Sequence, residues 1–162
     1  MRHLLIALAV LVADRLTKIL VIRNIALEDI VQIIPGLFRL THLENPGAAF
    51  SLFAESPSPF KTTMLVVISA CALVVVGLLL WMRRNDSNTT TLALSLIMGG
   101  AIGNLWDRLV DGKVTDFLDF YVGAHHWPPF NIADSAIVIG GLLLVFRMLR
   151  SEGPRHLANK SS

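Results

Sequence analysis

Cysteine is nearly missing from this chain: Cys71 alone, among 162 residues, lies inside an apolar run. An internal disulfide is therefore excluded, as is any metal site built on several cysteine thiolates. Charge is scarce too. Asp, Glu, Lys and Arg make up 16% of the residues, against about 25% in an ordinary soluble domain. The formal charge of +2 is too small to suggest nucleic acid as a partner. There is no His-Glu-x-x-His helix for zinc and no phosphate-binding loop. His125 and His126 are adjacent, so they do not share one helical face as paired ligands. Ser51, Ser69 and Ser95 have no His or Lys beside them to activate a nucleophile. No internal repeat or interdomain linker is visible, so residues 1–162 are expected to form one domain.

What the chain has in excess is apolar residues, 54% of the total, with a mean hydropathy of +0.63. They come in blocks. A helix needs about 20 apolar residues to cross the hydrocarbon of a bilayer, and four runs meet or approach that length: about 4–22, 63–82, 91–110 and 132–149. The first begins like a cleavable signal peptide, with Arg2 followed by Leu4 to Val12. Its apolar pattern continues to Ile22, which favours a retained helix. The expected fold class is an all-α polytopic membrane protein, with four transmembrane helices and a small β-containing extracytoplasmic loop region.

Lys and Arg flanks give the orientation. Arg2, Arg83, Arg84, Arg147, Arg150, Arg155 and Lys160 gather at the ends expected inside, which places both termini in the cytoplasm. The loops at about 23–62 and 111–131 then face outward. In the first of them, Ile30 to Ile34 and Leu37 to Leu43 flank Pro35-Gly36, a pattern of two short strands about a turn. The tail, 151–162, is polar and expected to be unstructured.

Ionisable groups inside a span are costly, so each is a functional hypothesis. Asp14 and Lys18 stand four apart and can neutralise each other. Gly99 and Gly103 make a small-residue seam for a neighbouring helix. Asn104 and Arg108 share a face. Asp116 lies just beyond the third run, and Asp134 opens the fourth, three residues after Asn131. That spacing is also that of a helix cap, so Asp134 has a plain structural reading beside the chemical one. Asp111 and Asp119 read as solvated loop acids. Asp116 and Asp134 nevertheless fall at one membrane depth, and two carboxylates at an apolar boundary suit hydrolysis: one ionised to activate water, one protonated to donate. The helix N-terminus favours ionised Asp134, leaving Asp116 as the acid. A small proton or solute transporter using the intramembrane acids is the alternative, and a structural scaffold a third reading.

Five motifs carry a resemblance over nearly the whole chain: Asp14-Arg15-Leu16-Thr17-Lys18, Asn45-Pro46-Gly47-Ala48-Ala49-Phe50, Gly99 to Arg108, Val114-Thr115-Asp116-Phe117, and Phe130-Asn131-Ile132-Ala133-Asp134. In this order they resemble lipoprotein signal peptidase, also called signal peptidase II or prolipoprotein signal peptidase. The resemblance implies an aspartic endopeptidase with Asp116 and Asp134 as its dyad. It implies that Asp14, Lys18, Asn45, Gly47, Asn104, Arg108 and Asn131 surround the dyad or position substrate, with no metal and no cofactor. The implied partners are membrane lipid and bacterial prolipoproteins already modified with diacylglycerol, cut N-terminal to the lipidated cysteine. The implied setting is the bacterial cytoplasmic (inner) membrane, with the enzyme a monomer and its site at the outer face.

Overall fold

The computed structural model describes residues 2–47, 59–83 and 88–151. Ala48, Ala49, Phe50, Ser51, Arg84 and the tail beyond Ser151 lie outside the described residues. The elements run α1 (Arg2–Asn24), β1 (Ile30–Ile34), β2 (Phe38–Asn45), α2 (Pro59–Met82), α3 (Thr89–Val110), β3 (Val114–Val122), β4 (His125–His126) and α4 (Ile132–Ser151).

The expected all-α class with four transmembrane helices does not hold. The described residues include a four-stranded antiparallel sheet, in the order β1-β2-β3-β4. It joins the hairpin legible in the first loop to two strands from the second. β3, with the sequence Val-Thr-Asp-Phe-Leu-Asp-Phe-Tyr-Val, is rich in the β-branched and aromatic residues that suit a pleated surface. Only two of the four helices are long and apolar enough to cross a membrane on composition, over Thr62–Met82 and Ile132–Arg150. α1 and α3 fall short because each carries polar and charged side chains within its length: Asp14, Arg15 and Lys18 in one, Asn104, Asp107 and Arg108 in the other.

Those two polar faces meet each other. α3 occupies the centre and packs on all three other helices. Gly99 faces Ala7 and Val10 of α1, and a Cβ at Gly103 would stand 2.8 Å from Asp14 Oδ2. The glycine seam thus lets α1 approach until its carboxylate lies against the α3 backbone. The pairings Gly99 with Ala7 and Gly103 with Asp14 make α1 and α3 parallel, whereas Gly100 with Ala133 and Gly140 with Ala93 make α4 antiparallel to α3. Arg2, Arg83 and Arg150 therefore gather at one end of the bundle, and the sheet sits at the other.

β2 and β3 pair in a register that sets Arg39 opposite Asp119 and Leu43 opposite Asp116. Between Leu40 and Leu43 the register slips by one residue, a bulge on β2. Val21, Ile25 and Phe117 form a small apolar core, with Leu40, Leu118 and Ile132 packed on it. This core fastens the end of α1 to the sheet and to the first turn of α4.

Candidate active site

The fourth helix opens with a reciprocal cap. Asn131 Oδ1 accepts from the Asp134 backbone N–H at 2.9 Å, while Asp134 Oδ2 accepts from the Asn131 backbone N–H at 3.3 Å. The plain capping reading of Asp134 is therefore correct as far as Oδ2 goes. Its other oxygen, Oδ1, accepts from Asn104 Nδ2 at 2.7 Å. Asp116, on β3, accepts from Asn45 Nδ2 at 2.9 Å and from Asn131 Nδ2 at 2.7 Å. Asn131 is fully buried and bonds both acids, the Asp116 carboxylate through its side-chain amide and the Asp134 carboxylate through its backbone N–H.

Each of the three asparagines has its amide orientation fixed from the far side. Lys18 Nζ donates to Asn104 Oδ1 at 3.3 Å. The Asp134 N–H donates to Asn131 Oδ1. The Gly47 N–H donates to Asn45 Oδ1 at 3.0 Å. An ammonium and a backbone N–H can only donate, so each amide oxygen must face them and each NH2 must face the acids. Gly47 does this at φ +121, a left-handed conformation that favours glycine.

Behind Asn104 lies a buried ionic network. Lys18 is 1% exposed and bridges Asp14 Oδ2 at 2.7 Å and Asp107 Oδ2 at 2.6 Å. Arg15 pairs with Asp107 from the rim. Asp14 Oδ1 accepts from the Ala133 N–H at 3.0 Å, so an α1 carboxylate satisfies a donor left free in the first turn of α4. The expected Asp14–Lys18 pair is present, but it is one half of a larger cluster. Asp107 is 3% exposed and carries the other half.

Asp116, Asp134, Asn45 and Arg108 line one cavity of about 490 Å³, walled on its apolar side by residues that include Trp127, Pro128 and Ile137. Arg108 Nη1 donates to the Asn104 carbonyl at 3.2 Å, whereas its Nε is buried with no hydrogen-bond partner among the described residues. Burial pushes the Asp116 carboxyl up to about 6; the nearby Asp134 charge adds to this, and the Asn45 and Asn131 hydrogen bonds oppose it. Asp116 is thus placed to keep a proton. Among the described residues no group of three or more His, Cys, Asp or Glu side chains is arranged to hold a metal ion.

The sequence model of the signal peptidase (SPase) II family matches residues 6–150. The chain belongs to the signal peptidase II family. It is 44% identical over 156 residues to a lipoprotein signal peptidase of Solibacter usitatus, covering 96% of this chain and 94% of the relative. It is 42% identical over 157 residues to one from Desulforapulum autotrophicum, covering 94% of each. A bacterial membrane enzyme solved by the in meso method at 2.3 Å superimposes with a TM-score of 0.84 at 27% identity, covering 99% of this chain and 94% of that one. A second, solved at 1.9 Å, gives a TM-score of 0.79 at 31% identity, with coverage of 92% and 93%. This signal peptidase II is a membrane protease that removes signal peptides from prolipoproteins.

One acid of this signal peptidase departs from the sequence reading. Asp119 is not a solvated loop acid: it is 2% exposed and held by Arg39 Nε at 2.6 Å and His126 Nδ1 at 3.0 Å. Its partner Arg39 comes from the neighbouring strand, 80 residues away in sequence. Asp111 is exposed at the C-cap of α3, as expected.

Proposed function

We propose that Asp116 and Asp134 are the catalytic dyad of this peptidase, and that its substrates are prolipoproteins already carrying diacylglycerol on the cysteine that follows the scissile bond. The carrying observation is that both carboxylates line one cavity and share Asn131 as a partner. Ionised Asp134 takes a proton from water as the water attacks the scissile carbonyl. Protonated Asp116 polarises that carbonyl and then supplies a proton toward the leaving amine. Asn45, Asn104 and Asn131, with amides fixed as described, hold the acids in position through the cycle. Gly47, Asp14 and Lys18 act one step further out, by fixing those asparagines and the first turn of α4. Arg108 offers its guanidinium to the substrate backbone. The apolar wall takes the substrate's lipid, and the enzyme works as a monomer without metal or cofactor. The transporter reading gains no support, since the matching family and the relatives are signal peptidases.

The test is release of signal peptide by the pure chain from a diacylglyceryl-modified precursor, with the unmodified precursor as control. Cleavage of both at equal rates would remove the lipid from substrate recognition. Because Asp116 must hold a proton and loses it as pH rises through about 6, kcat/KM should fall on the alkaline side of that value. A rate that instead rises steadily from pH 6 to 9 would reverse the acid and base roles.

The bundle end that gathers Arg2, Arg83 and Arg150 is the cytoplasmic one, which sets the dyad at the outer face of the bacterial cytoplasmic membrane. A reporter fused at the C-terminus should then read cytoplasmic, and one inserted between Glu55 and Phe60 external. The opposite pattern would put the dyad in the wrong compartment.

A further inference from the structure

The polar face of the sheet carries a cluster that the peptidase chemistry does not use. Arg39 on β2 lies directly opposite Asp119 on β3. Asp119 Oδ2 accepts from Arg39 Nε at 2.6 Å, and Asp119 Oδ1 faces His126 Nδ1, from β4, at 3.0 Å. Arg39 Nη2 lies 3.4 Å from the same Nδ1; with a proton on Nδ1, the shorter contact to the carboxylate is the hydrogen bond, His126 donating and Asp119 accepting. The His126 ring stacks on Tyr121 at 5.1 Å, and Arg39 lies 5.0 Å over the same Tyr121 ring from its own strand. One buried carboxylate therefore ties together β2, which bears Asn45, β3, which bears Asp116, and β4.

β4 has two residues, and the chain that leaves it is the wall of the cavity. Trp127, Pro128, Pro129 and Phe130 follow His126 directly, and all four line the cavity that holds the dyad. Pro128 and Pro129 have no N–H and cannot join the ladder to β3. The wall is consequently suspended between two anchors. Downstream, Phe130 exchanges hydrogen bonds with Leu118, at 3.1 and 2.8 Å, ahead of the Asn131 cap. Upstream, the Trp127 N–H donates to the Phe120 carbonyl at 2.8 Å, and His126 is clasped by Asp119. A two-residue strand at a sheet edge is weak by itself. The side-chain clasp adds to the short backbone ladder that holds its position.

We propose that Asp119, with Arg39 and His126, is a positioning device that sets where the Trp127–Pro129 wall stands and so governs substrate binding rather than chemistry. This rests on the reading of the cavity as the substrate site. The dyad's own four hydrogen bonds come from Asn45, Asn104 and Asn131 and none involves the clasp. Loosening the clasp should therefore move the wall while the acids keep their own hydrogen bonds.

The experiment measures kcat and KM on a lipid-modified precursor for Asp119→Asn, His126→Phe and His126→Asn. His126→Phe keeps the ring stacked on Tyr121 and removes the donor. His126→Asn restores an N–H donor on the same γ-carbon. Asp119→Asn and His126→Phe should each raise KM about tenfold while kcat stays within about twofold, and His126→Asn should stay within about twofold of wild type in both. An ion pair that merely stabilised the fold would lower the yield of folded enzyme without this split or this rescue. Should Asp119→Asn fail to fold, His126→Phe at the exposed sheet edge carries the test by itself. Unchanged KM in His126→Phe overturns the proposal, as does a fall in kcat at constant KM. Failure of the dyad reading would appear elsewhere, as turnover by Asp116→Asn.

Discussion

Asp116→Asn and Asp134→Asn should each lower turnover by about four orders of magnitude or more, and the double variant should be little worse than either single one, because groups that act as a unit are not additive. The substitution keeps the shape of the side chain and removes only its ability to exchange a proton. It should not cost the fold. Folding raises the Asp116 carboxyl from 3.8 to about 6, so its stabilising contribution is fully present below pH 3.8 and is lost as pH rises through 6. At pH 8 the ionised group costs the folded state up to about 3 kcal/mol, at about 1.4 kcal/mol for each pH unit of displacement. An Asn there escapes that cost, but turns an NH2 toward one of its two asparagine donors, which costs about 1–3 kcal/mol. The two effects offset, and Asp116→Asn should unfold close to the wild-type temperature at pH 8 while being inactive. Asp111→Asn, on the exposed cap of α3, is the control and should keep its activity. Asp119→Asn is not a suitable control, because Asp119 is buried and clasped. Substantial turnover by either dyad variant in a pure, folded sample would remove the dyad from the mechanism.

Lys18→Met should destabilise the protein by about 3–5 kcal/mol, the usual cost of stripping one partner from a buried ionic cluster. The side chain is nearly isosteric, so packing is preserved and the electrostatic loss is isolated. Asp14 would be left with only the Ala133 N–H among the contacts described above, and Asp107 with Arg15 at the rim. Asn104 would lose the ammonium that turns its NH2 toward Asp134, so the folded fraction should also turn over more slowly. Lys18→Met/Asp14→Asn removes one of the stranded carboxylates and should recover part of the stability but not the rate. A Lys18→Met protein that unfolds at the wild-type temperature would show that the cluster carries no such load.

The features that local spacing controls were legible. Four residues separate Asp14 from Lys18, and a helix turns that spacing into a contact. Asn131 and Asp134 cap α4 for the same local reason. Gly99 and Gly103 announced a seam, and α1 fills it. The five motifs placed the chain in its family before any contact was visible. The fold class was not legible, because four membrane spans were counted from apolar runs alone and the four-stranded sheet forms only when strands of two loops meet. A run interrupted by Asp14, Arg15 and Lys18 scans as a span with blemishes, although those residues are the interior of a polar interface between α1 and α3.

What the tertiary structure alone decided lies across large sequence separations. The sheet joins strands from two loops some 70 residues apart, and a one-residue bulge between Leu40 and Leu43 sets which side chains of β2 face β3. No local pattern encodes that register, since it depends on which partner strand arrives. For the same reason Asp119 read as a solvated acid: like Asp107, it is buried against a cation from a distant element, Arg39 for the one and Lys18 for the other. The sequence by itself singled out the two acids and the asparagines proposed to carry the chemistry. The orientation of the three asparagine amides came only with folding, because a side-chain amide takes its direction from the donor behind it, and those donors come from the packing of α1 on α3, from the left-handed turn at Gly47 and from the cap of α4.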